Sequence, residues 1–245
     1  MDIQDKLVVA CLALGLAACA GPGLTGGAPD GAAHFERFSY EGRAQESATP
    51  AAGQYRNPIL SGYYPDPSVL RVGQDYYLIN SSFTNFPGLP LFRSRDLVSW
   101  TQIGNVIDRP SQFNFQGLGS SRGIYAPDIS HDKGTFYVVT TCVDCGGNAV
   151  MTATNPAGPW SEPVKLKFGG IDPSLFWDTD GKAYLVGNDA PAEKPRYDGH
   201  RAIWVQEFDP VALAVKGERT LLVNGGVDIS AEPSWIEGPH IFRRG

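Results

Sequence analysis

The sequence has little positive charge. It carries 20 Lys and Arg residues against 26 Asp and Glu residues, so its formal net charge is −6. A chain without a basic stripe has no means of replacing the counterions of a phosphate backbone, which argues against nucleic acid as a partner. A neutral or polar partner fits this charge balance.

Cysteine is also scarce, with four residues in 245. Cys11 and Cys19 lie in the N-terminal segment, which leaves Cys142 and Cys145 for the rest of the chain. A zinc site needs two more ligands, and the sequence has no second pair at a suitable spacing. A redox CxxC motif normally opens a helix, whereas two glycines follow here. We interpret the pair as a local disulfide or two free thiols at a strand end.

Helical periodicity is missing after residue 55. Short runs of β-branched and aromatic residues recur instead, separated by turns, in a chain with 29 Gly and 19 Pro. This pattern predicts an all-β fold of many short strands. The clearest predicted strands are residues 76–79, 135–139, 183–186 and 202–205.

The apolar run at the N-terminus is too short for a comfortable transmembrane helix. It extends from Leu7 to Ala18 and ends in the residues LAAC, whose cysteine is Cys19. Small residues before a cysteine resemble the bacterial lipobox, in which cleavage leaves the cysteine as a lipidated N-terminus. We therefore predict a lipoprotein held at the bacterial cell envelope, with membrane contact only through Cys19. Plain secretion and a chance apolar start are the alternatives.

These features divide the chain into three parts. Residues 1–19 are the predicted lipoprotein signal peptide. Residues 20–53 are rich in Gly, Ala and Pro and are predicted to form a flexible tether. Residues 54–245 are the predicted folded domain.

A repeat runs through this domain. Three segments share the order acidic residue beside proline, apolar strand, polar turn and aromatic-rich strand: PDPSVLRVGQDYYLI, APDISHDKGTFYVV and IDPSLFWDTDGKAYLV. Each unit has room for about four strands, which is the content of one propeller blade. A further unit begins at Glu237 and then the sequence stops. Since closed propellers have four to eight blades, we interpret the sequence as a fragment with about three blades and the start of a fourth.

The acidic residues of the repeat are the candidate reagents. The innermost strand of each blade lines a central channel, so acids at the mouths of these strands converge; the acids are Asp66, Asp172 and Glu237. Pro67 and Pro173 are expected to push the preceding aspartates into an extended conformation. Close carboxylates that differ in protonation suit glycoside hydrolysis. The alternative is that each Asp-Pro only initiates a turn.

Several motifs together resemble glycoside hydrolase family 43, in particular its β-xylosidase and α-L-arabinofuranosidase branch. They include YYPDPSVL, FPGLPLFRSRDLVSW, GIDPSLFWDTDGKAYLV and WIEGPHIF, and they occur from about Asn57 to the last residue. The resemblance implies a five-bladed β-propeller and an inverting, exo-acting hydrolase that releases xylose or arabinose from hemicellulose oligosaccharides. By motif, Asp66 is the general base and Glu237 is the general acid. Asp172 orients the acid and tunes its pKa.

The remaining predicted site residues are less specific. Trp235, Phe83 and Phe86 are candidates for an aromatic sugar platform, with ordinary core packing as the alternative. His240 lines the pocket or is structural, and Asp128 contacts substrate or has a structural role. No metal ligand is assigned, although some relatives hold a calcium ion or a coordinated water near the axis in the complete propeller.

Two other functions remain open from the sequence. One is a cell-surface protein, or an inactive fragment, that binds carbohydrate without cleaving it. The other is an endo-arabinanase, which depends on whether the site is a closed pocket or an open groove.

Overall fold

The computed structural model describes residues 50–244, which fold into strands. The predicted signal peptide and most of the predicted tether lie outside the described residues, and the domain boundaries stay predictions. Within residues 50–244 the strands form three four-stranded antiparallel sheets, so the all-β prediction is confirmed. The part of the chain that the structure describes contains no helix long and apolar enough to span a bilayer.

Each sheet is built from four strands that follow one another along the chain. Blade 1 contains β1 (Ser68–Val72), β2 (Asp75–Ile79), β3 (Gly88–Ser94) and β4 (Thr101–Ile107). Blade 2 contains β5 (Asp128–Asp132), β6 (Thr135–Cys142), β7 (Gly147–Ala153) and β8 (Val164–Lys165). Blade 3 contains β9 (Ile171–Trp177), β10 (Ala183–Asp189), β11 (Ala202–Asp209) and β12 (Ala214–Asn224), and a turn of 3-10 helix follows at Ile229–Ala231.

The first hairpin of each blade closes through a glycine with positive φ. These glycines are Gly73, Gly134 and Gly181, with φ of 61°, 82° and 87°. The turn between β5 and β6 also places Lys133 at φ 46°, and two successive residues with positive φ match the right-handed twist of the flanking strands. The repeated Gly turn in the sequence therefore sets the register of each hairpin.

The core lies between the blades. Strand β6 shows how, because its alternate side chains enter two different clusters: Val138 packs with blade 1 residues such as Ile79 and Leu91, and Val139 packs with blade 3 residues such as Leu185. Successive side chains of a strand point to opposite faces, so a strand buried on both faces reads as a continuous apolar run. The run TFYVVTTC has this character.

A central channel of about 500 Å³ identifies the innermost strands. Its lining comes from β1, β5 and β9, together with His240, Ile241 and Phe242. The three strands that contain or directly follow the repeated acids therefore line one channel, as the repeat predicts.

Residues 232–244, where the sequence predicts the start of a fourth blade, contain no strand. The segment nevertheless follows β9, since Ser174 Oγ donates to the carbonyl of Pro239 at 2.5 Å and Arg243 pairs with Asp178. Proline lacks a backbone donor, and side-chain contacts take the place of a ladder here. The chain thus reaches the channel without a strand.

Cys142 and Cys145 form a disulfide at the end of β6. This is the first of the two alternatives that the sequence left open.

Candidate active site

A cavity of about 370 Å³ brings the three predicted catalytic acids together. Asp66 lies two residues before β1, Asp172 is the second residue of β9, and Glu237 lies in the segment that follows the 3-10 turn. The volume is within the range of small-molecule sites. The other lining residues are Pro67, Ala126, Pro127, Gly238 and His240.

The Asp66 carboxylate is exposed to solvent and held from blade 1. Ser81, which comes just after β2, donates its hydroxyl to Asp66 Oδ2 at 2.5 Å. The Ser81 backbone N–H donates to the carbonyl of Pro65 at 3.0 Å, so the loop before β1 and the end of β2 are tied twice. A side chain oriented in this way is suited to accepting a proton from a water in the cavity.

Both Asp-Pro aspartates adopt a left-handed backbone, with φ of 52° at Asp66 and 54° at Asp172. The expectation of an extended conformation before proline is therefore wrong. Aspartate tolerates this region better than most residues, and each carboxylate accepts at least one hydrogen bond in this conformation. The two units thus present their carboxylates with the same unusual geometry.

The Asp172 carboxylate is nearly buried, at 9% exposure. Its Oδ2 accepts from Asn188 Nδ2 at 3.2 Å and from the Gly238 N–H at 3.3 Å. Burial, followed by the charge of Glu237, raises the pKa of Asp172 to about 6, and the charge of Asp66 adds to the effect. The Gly238 N–H and the Arg201 guanidinium act in the opposite direction.

Glu237 is exposed and is positioned by its neighbour. Gly238 has φ of 58°, and its N–H points to Asp172 in that conformation. The acid from the last segment is therefore tied to the acid of β9 through one backbone hydrogen bond.

Asp128 lies apart from this cavity and is 6% exposed. Ser68 Oγ donates to its Oδ1 at 2.8 Å, and the Leu175 N–H donates to its Oδ2 at 3.0 Å. Burial raises the pKa of Asp128, opposed by these hydrogen bonds and by His240, whose Nδ1 is 3.6 Å from Oδ1. Both oxygens are used to join blades 1, 2 and 3, so the placement favours the structural alternative over contact with substrate.

The aromatic candidates differ in exposure and in their contacts. Phe83 is half-buried between the rings of Tyr63 and Tyr125, at centroid distances of 5.9 and 5.6 Å. Phe86 is exposed. Trp235 is 52% exposed and lies under the Arg201 guanidinium, 5.0 Å from the ring centroid. These three side chains are outside the set that lines the acid cavity, whereas His240 is within it.

Three residues that contact or influence the acids were missed by sequence reasoning: Ser81, Asn188 and Arg201. Ser81 and Asn188 occupy related places, because each comes at the end of the second strand of its blade. A polar residue in the stretches YYLINSS and AYLVGND was the available signal.

Within residues 50–244 no three His, Cys, Asp or Glu side chains form a group that could hold a metal ion.

The three acids have unlike environments. Asp172 is nearly buried and has a raised pKa, whereas Asp66 and Glu237 are exposed. Carboxylates held close together in different surroundings make proton donation and proton acceptance available at one site. The individual roles of Asp66, Asp172 and Glu237 stay predictions.

Comparison with known proteins places these features in a family. The model for glycosyl hydrolases family 43 matches residues 55–245. A xylosidase/arabinosidase of Butyrivibrio fibrisolvens is 47% identical over 191 residues, which are 77% of this chain and 36% of that protein. A non-reducing end α-L-arabinofuranosidase of Bacteroides ovatus is 45% identical over 139 residues, 55% of this chain and 26% of that protein.

Solved structures of similar proteins support the same family. The crystal structure of a GH43_12 protein from a capybara gut metagenome has a TM-score of 0.74 at 54% identity, covering 78% of this chain and 36% of that one. A xylan β-1,4-xylosidase from Bacillus halodurans has a TM-score of 0.68 at 37% identity, covering 78% and 37%. The chain thus spans between about a quarter and just over a third of the length of these relatives. Its three sheets correspond to blades of the five-bladed β-propeller fold that the sequence predicted. The chain belongs to glycosyl hydrolases family 43.

Proposed function

We propose that the whole protein is an inverting, exo-acting glycoside hydrolase that releases xylose or arabinose from hemicellulose oligosaccharides. The observation that carries the proposal is the cavity in which Asp66, Asp172 and Glu237 meet from separate parts of the chain. The names of the relatives support the choice of sugar, since one is a xylosidase/arabinosidase and another an α-L-arabinofuranosidase.

In this mechanism Asp66 removes a proton from water as the water attacks the anomeric carbon. Glu237 donates its proton to the glycosidic oxygen as the bond to the leaving group breaks, so the configuration inverts. The hydroxyl of Ser81 holds the Asp66 carboxylate in position. Asp172, tied to the Gly238 N–H, fixes the segment that presents Glu237.

The test measures sugar release from aryl xylosides and aryl arabinosides whose phenol is only weakly acidic, so that the leaving group needs a proton. Because the chain spans 36% of its Butyrivibrio relative, it is assayed alone and as a chimera that joins residues 50–245 to the C-terminal remainder of that relative. Asp66→Asn and Glu237→Gln should each reduce kcat by about 10²–10⁴-fold, the usual contribution of a positioned acid or base. NMR of the first product should show the inverted anomer.

Two surface variants are the matched controls. Asp180→Asn changes an exposed carboxylate in the turn between β9 and β10, and Glu218→Gln changes an exposed carboxylate on β12. Both should retain full activity. Near-normal turnover of Asp66→Asn or Glu237→Gln would remove that residue from the mechanism, and binding of xylo-oligosaccharides without product would favour a carbohydrate-binding protein.

We further propose that the protein is a lipoprotein of the bacterial cell envelope, anchored through Cys19. The support is the apolar run from Leu7 to Ala18 and the small residues before the cysteine. Expression in bacteria with labelled palmitate should label the parent protein. Cys19→Ser should lose the label and Cys11→Ser should keep it. Equal labelling of the two variants would contradict the assignment.

A further inference from the structure

Arg201 lies immediately before β11 and is only half-buried, yet its guanidinium is directed inward at a buried amide. Its Nε and Nη2 both donate to Asn188 Oδ1, at 3.0 and 2.8 Å. Two donors of a planar fork on one oxygen define the direction of that oxygen closely.

The amide of Asn188 therefore has one orientation available. Asn188 is fully buried on β10, and a guanidinium has only donors, so the amide oxygen must face Arg201 and the amide nitrogen must face away from it. That nitrogen donates to Asp172 Oδ2 at 3.2 Å. An amide turned the other way would place its oxygen against the carboxylate and its nitrogen against the guanidinium, losing hydrogen bonds at both ends.

Asp172 Oδ2 receives a second donor, the Gly238 N–H at 3.3 Å. Glu237 and Asp66 face the same carboxylate with negative charge, and Arg201 is the cation among the groups that act on it. The order Arg201, Asn188, Asp172, Gly238 is thus a continuous line of donors and acceptors from β11 to the segment that carries Glu237. Arg201 donates to Asn188 and Asn188 donates to Asp172, while the Gly238 N–H donates to Asp172 from the other side.

We infer that Arg201 is a positioning residue that acts through Asn188: it locks the amide so that Asp172 is held as a hydrogen-bond acceptor for the Glu237 segment. The link to Glu237 as an acid rests on the proposed function, whereas the relay from Arg201 to Asp172 does not. The same guanidinium covers the exposed ring of Trp235, so Arg201 also fixes an aromatic side chain two residues before Glu237.

The relay is tested by titrating Asp172 in the 245-residue chain. The protein is labelled with aspartate carrying ¹³C at Cγ, and the Asp172 signal is assigned by its loss in Asp172→Asn. The parent midpoint should lie near pH 6. Arg201→Met should raise it by roughly one pH unit, because a cation and an oriented donor are both lost.

A double-mutant cycle separates the relay from simple charge. Arg201→Lys keeps the positive charge but cannot form the fork, and Asn188→Ser removes the amide. Each should raise the Asp172 midpoint, and adding Arg201→Lys to Asn188→Ser should raise it no further, since the relay is already broken. Additive shifts would show that Arg201 acts independently of Asn188 and would overturn the relay.

The matched control is Arg219→Met. Arg219 also stacks on an indole, 4.1 Å from the Trp204 ring, but its guanidinium donates to Asp189 instead of Asn188. The titration midpoint of Asp172 in Arg219→Met should equal that in the parent. Should Arg201→Met fail to fold, Arg201→Lys alone carries the test, and an unchanged midpoint in a folded Arg201 variant overturns the inference.

Kinetics in the chimera distinguish the two proposals. If the parent releases sugar, Arg201→Lys should lower kcat more than it changes KM, and the acidic limb of the pH profile should shift. If the parent releases no sugar while the midpoints move as expected, the proposed function fails and the relay stands.

Discussion

Asp66 and Asp172 are two aspartates with the same local structure and opposite surroundings. Both precede proline and both have φ near 50°. Asp66 is exposed with a serine hydroxyl on one oxygen, whereas Asp172 is nearly buried between Asn188 and Gly238. One motif therefore supplies two chemical environments, and the difference comes from the residues at the end of the neighbouring strand.

The assignment of Glu237 as proton donor predicts a selective response to the leaving group. In the chimera, Glu237→Gln should reduce activity on both a xylo-oligosaccharide and an aryl glycoside with a strongly acidic phenol. The fold-loss on the aryl glycoside should be smaller by a factor of about ten or more, because that phenol departs without a proton. Asp66→Asn should lose activity equally on both substrates, since the water still needs a base. The measurement is kcat/KM of each variant relative to the parent on both substrates.

The comparison of the two variants decides the outcome. Equal recovery of Asp66→Asn and Glu237→Gln on the acidic phenol would contradict the division of roles. Glu218→Gln is the control for loss of an exposed glutamate, and its ratio between substrates should match that of the parent.

The convergence of the three acids on one cavity was predictable because a repeated motif marked them. Asp66 and Asp172 stand out by the adjacent proline and the strand that follows, and Glu237 by the related Glu-Gly-Pro. Arg201 was not predictable, because it acts on Asp172 through the side chain of Asn188. Such a contact depends on how β10 and β11 are aligned, which no short motif records.

Among the strands, β5 joins the three blades through one buried carboxylate. Asp128 begins this strand and binds Ser68 of β1 and the Leu175 N–H of β9. The altered order of the motif, with proline before the aspartate, therefore corresponds to a different use. The acid of the middle blade faces the axis and its neighbours, and the acids of the outer units face the cavity.

This arrangement predicts a large difference between two substitutions of Asp128. Asp128→Ala leaves two buried donors without an acceptor and should reduce the free energy of unfolding by about 2–5 kcal/mol. Asp128→Asn should cost less, because its oxygen can accept from Leu175 while its nitrogen donates to the hydroxyl of Ser68. Urea unfolding followed by tryptophan fluorescence measures both.

Asp132→Ala is the control on the same strand. Its carboxylate pairs with Lys133 at the surface at 3.5 Å, a contact of small value. If Asp128→Ala and Asp132→Ala destabilised the protein equally, Asp128 would not be the connection between blades.

Strand positions were predicted well because hairpins and their partners are close in sequence. The four predicted runs all lie within observed strands, namely β2, β6, β10 and β11. The segment from Glu237, which was predicted to begin a further blade, contains no strand up to residue 244. A strand needs a partner for its backbone, and the contacts of this segment with β9 are made partly by side chains instead.

At the scale of the whole molecule, the fold holds three carboxylates at one cavity, which is electrostatically unfavourable. Carboxylates from blade 1, blade 3 and the last segment converge, and the cost appears in the raised pKa of Asp172. Because each blade packs on the next through a shared core, the acids cannot move apart without disturbing that core. Stability and the site are therefore coupled through pH.

The sign of this coupling follows from Asp172. Its pKa is about 6 in the folded protein and 3.8 is the ordinary value, so between these values the folded state binds more protons than the unfolded chain. Stability then falls as pH rises through this window, by an amount on the order of 3 kcal/mol. Asp172→Asn keeps an acceptor for Asn188 and Gly238 without the charge. Relative to the parent, its free energy of unfolding should therefore rise by this amount between pH 4 and pH 7.

Urea unfolding of the parent and Asp172→Asn at pH 4, 5, 6 and 7 measures the effect, with Asp180→Asn as the surface control. The difference between parent and Asp172→Asn should change most between pH 4 and 6 and then level off. When Glu237→Gln is added to both the parent and Asp172→Asn, the pH-dependent difference in stability between them should become smaller. The reason is that the charge of Glu237 is the second cause of the raised pKa of Asp172, after burial. A difference that is constant with pH would mean that Asp172 does not carry the electrostatic cost of bringing three acids to one cavity.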